Sequence, residues 1–186
     1  TQLGVLENDT GYRAQRALAE ALYPGHPFGR PRVGTRASVA QLRREDLLQC
    51  YRTQYHPASL VLSVVGAVEA SQVLDLLADT LGQWRVDSRA PVRSIPDAQT
   101  PPGCSVKHIE LPGKVQADLV WGVVGLPRTS PDYYAAMMAN LILGRLGMMG
   151  RLGEHVRDDM GLAYYASSAL QTGHGPQPWV LYAGVN

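Results

Sequence analysis

The stretch Arg85–Gly103 constrains this chain most. It carries Pro91, Pro96, Pro101 and Pro102, closes on Gly103, and mixes them with Ser, Asp and Arg. Proline fixes φ and removes a backbone donor, so neither a helix nor a central strand runs through such a segment. The sequence therefore divides into residues 1–84, a linker at 85–103 and residues 104–186, with the hydrophobic pattern restarting after the linker.

In the first part, Gly11–Tyr23 reads as a helix ended by Pro24-Gly25. Ser38–Leu42 opens another, with Ser38 and Gln41 at capping-box spacing, and Leu47, Leu48, Tyr51 and Tyr55 continue its apolar face as far as His56-Pro57. Cys50 falls on that apolar side and reads as a buried thiol. Ser59–Val68 (SLVLSVVGAV) reads as a buried strand, and Val73, Leu76, Leu77, Leu81 and Trp84 form a helical stripe. In the second part, Cys104–Leu111 and Gln116–Gly125 read as strands joined at Pro112-Gly113-Lys114. Ser130-Pro131 starts a helix whose stripe is Tyr134, Met137, Met138, Leu141 and Ile142. Arg151–Asp159 reads as a short helix, and Tyr164–Leu170 and Trp179–Tyr182 as strands of a hairpin across Gly173–Pro176. Helices and strands alternate without a βαβ rhythm. The expected class is α+β, an antiparallel or mixed sheet with helices layered on it.

Composition narrows the function classes. Hydrophobic residues make up 45% and charged residues 18%, a balance that buries a core. A net charge of +1 gives no bulk attraction to nucleic acid or an anionic membrane. No apolar run approaches the roughly 20 residues of a membrane-spanning helix. Cys50 and Cys104 form neither a CxxC pair nor a disulfide framework. The absence of an initiator methionine, and the run Trp179–Ala183 so near Asn186, read as two cut ends.

No GxSxG, CxxC or Walker loop is present, and no two of the five histidines stand at i, i+3 or i, i+4. Arg151-Leu152-Gly153-Glu154-His155 has the outline of an inverted zinc motif with arginine in the place of the first histidine. Arginine stays protonated and cannot coordinate zinc, so no metal ligand is assigned in this chain. His26–Pro31 reads as a rigid connector or, through Arg30 and Arg32, as a ligand-binding turn. Gly144–Gly150 is too irregular for a phosphate cradle and reads as a flexible or substrate-adjacent loop. The best candidates for chemistry are Arg157 and Tyr164, on either side of the turn Asp158–Ala163. Gly161 can supply a left-handed C-cap there, and a guanidinium and a phenol on one side of a cleft can hold a peptide carbonyl and its developing oxyanion. An Arg near a Tyr is also an ordinary packing pair. Tyr165 faces the other side of the strand, so one of the two tyrosines is expected in the core.

Several stretches in order carry a resemblance: HPFGRPRVGT at His26–Thr35, REDLLQCYRTQYHPASLVLSVVGAV at Arg44–Val68, PGKVQADLVWGVVGLPRTSPDYYAAMMANLILG at Pro112–Gly144 and RLGEHVRDDMGLAYYASS at Arg151–Ser168. The chain resembles the pitrilysin (insulinase-like) zinc metallopeptidases, the family of mitochondrial processing peptidases. The resemblance implies two homologous α+β halves, with residues 1–84 in the tail of the first and 104–186 in the head of the second. It implies zinc held by HxxEH and a distant Glu in the first half, upstream of Thr1 or close to the N-terminus. Gln2 stands near the register of that Glu, and Glu7 is the nearest carboxylate. It further implies that Arg157 and Tyr164 bind substrate. Expected partners are a peptide or protein substrate and the missing half-domains or a homologous subunit, as a homo- or heterodimer. Two functions stay open: part of a zinc metalloendopeptidase, with this chain inactive alone, or a zinc-free partner or scaffold subunit.

Overall fold

The computed structural model describes residues 2–85, 94–146 and 149–185. Residues 86–93 of the linker and Gly147 and Met148 of the glycine-rich loop lie outside the described residues; residues 94–103 of the linker carry no helix or strand. Two compact units form, residues 1–36 with 95–186, and residues 37–94.

The larger unit begins with α1 (Gln2–Glu7) and α2 (Thr10–Leu22). Asp9 starts α2 by accepting from the Tyr12 N–H at 2.6 Å, which satisfies one of the first-turn donors. The strands are β1 (Ala117–Val124), β2 (Ala163–Leu170) and β3 (Pro178–Val185). They form an antiparallel sheet in the order β1-β3-β2, so the 116–125 strand and the hairpin stand as read from sequence. One face takes α2: a Cβ at Gly122 would collide with Leu18 and come within van der Waals contact of Leu22. Val180, paired with Gly122 and 2% exposed, is the centre of this layer. Full burial of such a side chain contributes about 1.5–3 kcal/mol.

The other face takes α6 (Tyr133–Asn140), which follows β1 and runs on into a π-helical turn at Leu141–Arg145. Asn140, 3% exposed, fixes the contact. Its Oδ1 accepts from Trp179 Nε1 at 2.8 Å, and its backbone carbonyl accepts from Ser168 Oγ at 3.3 Å. The expected stripe is corrected here. Tyr134, Met137, Met138 and Ile142 are exposed, whereas Tyr133, Asn140 and Gly144 are buried. Both stripes have helical spacing. The second wins because Asn140 satisfies Trp179, and because Gly144 lets the helix approach β2 so closely that a Cβ there would lie 2.8 Å from Ser168 N.

His26 organises the connector after α2. Its Nδ1 accepts from the Phe28 N–H at 3.1 Å and its Nε2–H donates to the Pro96 carbonyl at 2.9 Å, around a short 3₁₀ turn, Pro27–Gly29. The Tyr23 hydroxyl donates to the Pro176 carbonyl at 2.7 Å, so the connector and the β2–β3 loop are tied to the end of α2.

The smaller unit holds α3 (Arg36–Gln41, whose first residue belongs to the larger unit), α4 (Arg44–Gln54) and α5 (Ala70–Leu81). The single helix expected from Ser38 is two. Arg36 starts the first, and Asp46 starts the second by accepting from the Arg43 N–H at 2.8 Å, so the cap lies at Arg43–Asp46 and not at Ser38–Gln41. Two expected strands are also corrected. Neither Ser59–Val68 nor Cys104–Leu111 joins a ladder among the described residues. Val-rich sequence supplies β propensity, but a strand exists only with a paired neighbour. Val61 and Val65 are 92% and 95% exposed. Cys50 is exposed too, because no described residue of unit 37–94 is buried.

Candidate functional site

The segment that carries the site starts at Arg151 and becomes π-helical over Gly153–Asp159. Its end is closed by three backbone bonds: Met160 N–H to the His155 carbonyl at 3.1 Å, Gly161 N–H to Arg157 at 3.0 Å, and Leu162 N–H to Val156 at 3.1 Å. The last two each span one residue more than the usual glycine closure of an α-helix, as a π-wide final turn requires. Gly161 has φ +62°, the left-handed conformation the sequence assigns to it.

Arg157 stands on that last turn, with its side chain 35% exposed and its Nη1 4.0 Å from Asp158 Oδ1. Tyr164 is the second residue of β2 and is 79% exposed. Met160 and Leu162 on the connecting turn are also exposed. The turn thus presents a guanidinium, two apolar side chains and a phenol, the donor types and apolar surface that hold an extended peptide by its carbonyls.

Tyr164 owes its exposure to the sheet. Ala163 pairs with Val185 and Tyr165 pairs with Gly184, so Tyr164 is the extra residue of a β-bulge. Tyr165 lies over Gly184, where a Cβ would collide with its ring, and its hydroxyl donates to Asp118 Oδ1. Asp118 Oδ2 accepts from Thr10 Oγ1 at the start of α2. Burial, then the hydrogen bond and charge of Asp118 and the charge of Asp9, push the Tyr165 phenol up to about 12. Neither tyrosine is buried, contrary to the expectation that one would be in the core. Tyr165, 40% exposed, is the anchored one. Asp118, Thr10 and Gly184 were not among the sequence candidates. A glycine inside the apolar run Trp179–Val185 was the available signal, since it marks a close approach.

Among the described residues, no group of three His, Cys, Asp or Glu side chains could hold an ion. Glu154, His155 and Asp159 line a hollow of about 440 Å³, and His155 Nδ1 lies 3.3 Å from Asp159 Oδ2 with both side chains largely exposed. A cleft of about 800 Å³ lies along α2 and Lys107–Glu110, and neither Arg157 nor Tyr164 lines it. Its wall charges are already matched in part, Arg16 with Glu20 at 2.9 Å and Arg36 with Glu7 at 2.6 Å.

Residues 41–186 match the family described as the peptidase M16 inactive domain. A protein of Streptomyces coelicolor named an uncharacterized zinc protease is 29% identical over 168 residues, 88% of this chain and 36% of its own length. The uncharacterized zinc protease YmxG of Bacillus subtilis is 31% identical over 147 residues, 79% of this chain and 34% of its own. The crystal structure of a peptidase M16 inactive domain from Pseudomonas fluorescens superposes with a TM-score of 0.87 at 24% identity, covering 100% of this chain and 44% of that one. The fold is that of an M16 peptidase domain, and the chain belongs to the peptidase M16 family, in agreement with its pitrilysin-like motifs. It spans roughly a third of the length of the curated relatives it matches.

Proposed function

We propose that this chain is the substrate-holding part of a pitrilysin-type zinc metalloendopeptidase, with Arg157 and Tyr164 binding the peptide. The observation that carries the reading is the turn itself, a glycine-closed helix end followed by a bulge that leaves Tyr164 exposed beyond Arg157. A phenol O–H donates to a carbonyl oxygen and donates more strongly as that oxygen gains charge. A guanidinium fork holds the substrate backbone. The described residues offer no set of three ligands for zinc, so on this reading the metal belongs to another part of the parent protein, and no step is assigned to it here. Descent then divides the chain at 85–103 into parts of two homologous halves, although residues 1–36 pack with 95–186.

The exposed apolar residues of unit 37–94, among them Leu47, Tyr51 and Leu60–Val65, support a partner surface, supplied by the rest of the parent or by a homologous subunit. A zinc-free scaffold subunit is the second reading, favoured by Gln2 near the register where the resemblance asks for a carboxylate. Arg157→Lys in the parent protein tests the first reading. Loss of the fork should raise KM for a quenched peptide about tenfold with a smaller change in kcat. Unchanged kinetics would remove Arg157 from substrate binding.

A further inference from the structure

We propose that Tyr165, clamped to Asp118 across Gly184, is the positioning residue that makes Tyr164 the exposed tyrosine of the turn; this rests on the reading of Tyr164 as a substrate-binding group. Two adjacent tyrosines compete for one place. In an unbulged ladder Ala163 opposite Val185 would put Tyr164 opposite Gly184, and Tyr164 would lie over the glycine. The observed register puts Tyr165 there instead. Slipping by one residue sends every side chain of a strand to the opposite face, so the choice is all or none.

Three features hold Tyr165 in that place. Gly184 provides a flat site that any Cβ would fill. Asp118, which pairs with Gly184 from β1, lies on the far side of that site and accepts the Tyr165 hydroxyl. Thr10 donates to the other oxygen of Asp118 and so ties the carboxylate to α2, where Asp9 caps the helix. The clamp therefore spans β2, β3, β1 and α2, and the bulge is where its register meets that of Ala163. The further charged groups near it are Arg13, Glu110 and Lys114, which with Thr10 and Asp118 line a hollow of about 300 Å³.

The test uses the full-length parent with Tyr164→Phe, Tyr165→Phe and the double variant, assayed on an internally quenched peptide. Misplacing a group by about 1 Å can cost up to a hundredfold in rate, so Tyr165→Phe should lower kcat about tenfold or more and leave KM nearly unchanged. In the Tyr164→Phe background the same substitution should cost almost nothing further, an outcome that general loss of structure would not give. Equal losses in both backgrounds, or full activity of Tyr165→Phe beside an impaired Tyr164→Phe, would overturn the clamp. Full activity of Tyr164→Phe would instead overturn the substrate role on which the clamp rests. A crystal structure of the parent with Gly184→Val reads the clamp without turnover. Tyr165 should leave Asp118 and Tyr164 should move with the register. Tyr164 unmoved while Tyr165 is displaced would refute the proposal.

Discussion

At the scale of single residues, Tyr23 and Tyr165 each tie together elements distant in the sequence. Tyr23 is 2% exposed, its hydroxyl is given to Pro176, and burial pushes it up to about 12. A phenol raised above its ordinary value of 10 in the folded state contributes stability that is fully present below pH 10. That contribution is lost as the pH climbs through 12. With allowance for screening at the surface it amounts to about 1–2 kcal/mol. Urea midpoints measured from pH 8 to 12 should fall above pH 10, and Tyr23→Phe should lower the neutral plateau but flatten that fall, leaving the smaller share due to Tyr165. An alkaline limb as steep in Tyr23→Phe as in the parent would contradict this. The positions of Arg157 at a helix end, Gly161 in the closing turn and Tyr164 at a strand start were legible in the sequence because each is a local signal, whereas their proposed role came from the family resemblance. The roles of Asp118 and Thr10 were not legible, because their 108-residue separation is bridged only by the fold.

At the scale of elements, α6 shows where pattern reading fails. The sequence offers it two helical stripes, and hydrophobicity alone selects the wrong one. The buried stripe is built around Asn140 and Gly144, one polar and one without a side chain, neither of which scores as core. What decides is hydrogen-bond satisfaction of Trp179 and the close approach at Ser168. Asn140→Ala should therefore cost about 1–3 kcal/mol by leaving the indole N–H without its acceptor. The cost should shrink in a Trp179→Phe background, as a denaturation double-mutant cycle would read. Strict additivity would mean that the pair does not hold α6 to the sheet. The strands divide the same way. Those at 116–125, 164–170 and 179–182 were readable because their partners follow within the chain. Ser59–Val68 and Cys104–Leu111 have strand composition but no ladder partner among the described residues.

At the scale of the whole molecule, the larger unit has a core and the smaller has only faces. The helical layer over β2 leaves Leu119 and Trp121 of β1 exposed, and no described residue of unit 37–94 is buried. Leu47, Tyr51, Val61 and Val65 of the smaller unit are among these exposed apolar side chains. Such exposure agrees with a chain that spans about a third of its curated relatives, and no helix among the described residues is long and apolar enough to cross a membrane. Metal binding is predicted at this scale. Equilibrium dialysis of residues 1–186 against zinc should find far less than one ion per chain, unchanged by His155→Ala. One tightly held ion that His155→Ala releases would restore the Arg151–His155 stretch as a metal site.

The central claim is that the turn after Arg157 presents Tyr164 to a peptide carbonyl. The measurement that tests it most directly is single-turnover cleavage of a quenched peptide by the zinc-loaded parent protein, with and without Tyr164→Phe. Removal of one oxyanion donor lowers the rate of the chemical step by about 10²–10³, equivalent to about 2.7–4 kcal/mol. The account predicts a loss of that order with substrate binding little changed. A Tyr164→Phe parent that cleaves at the unaltered rate would contradict it.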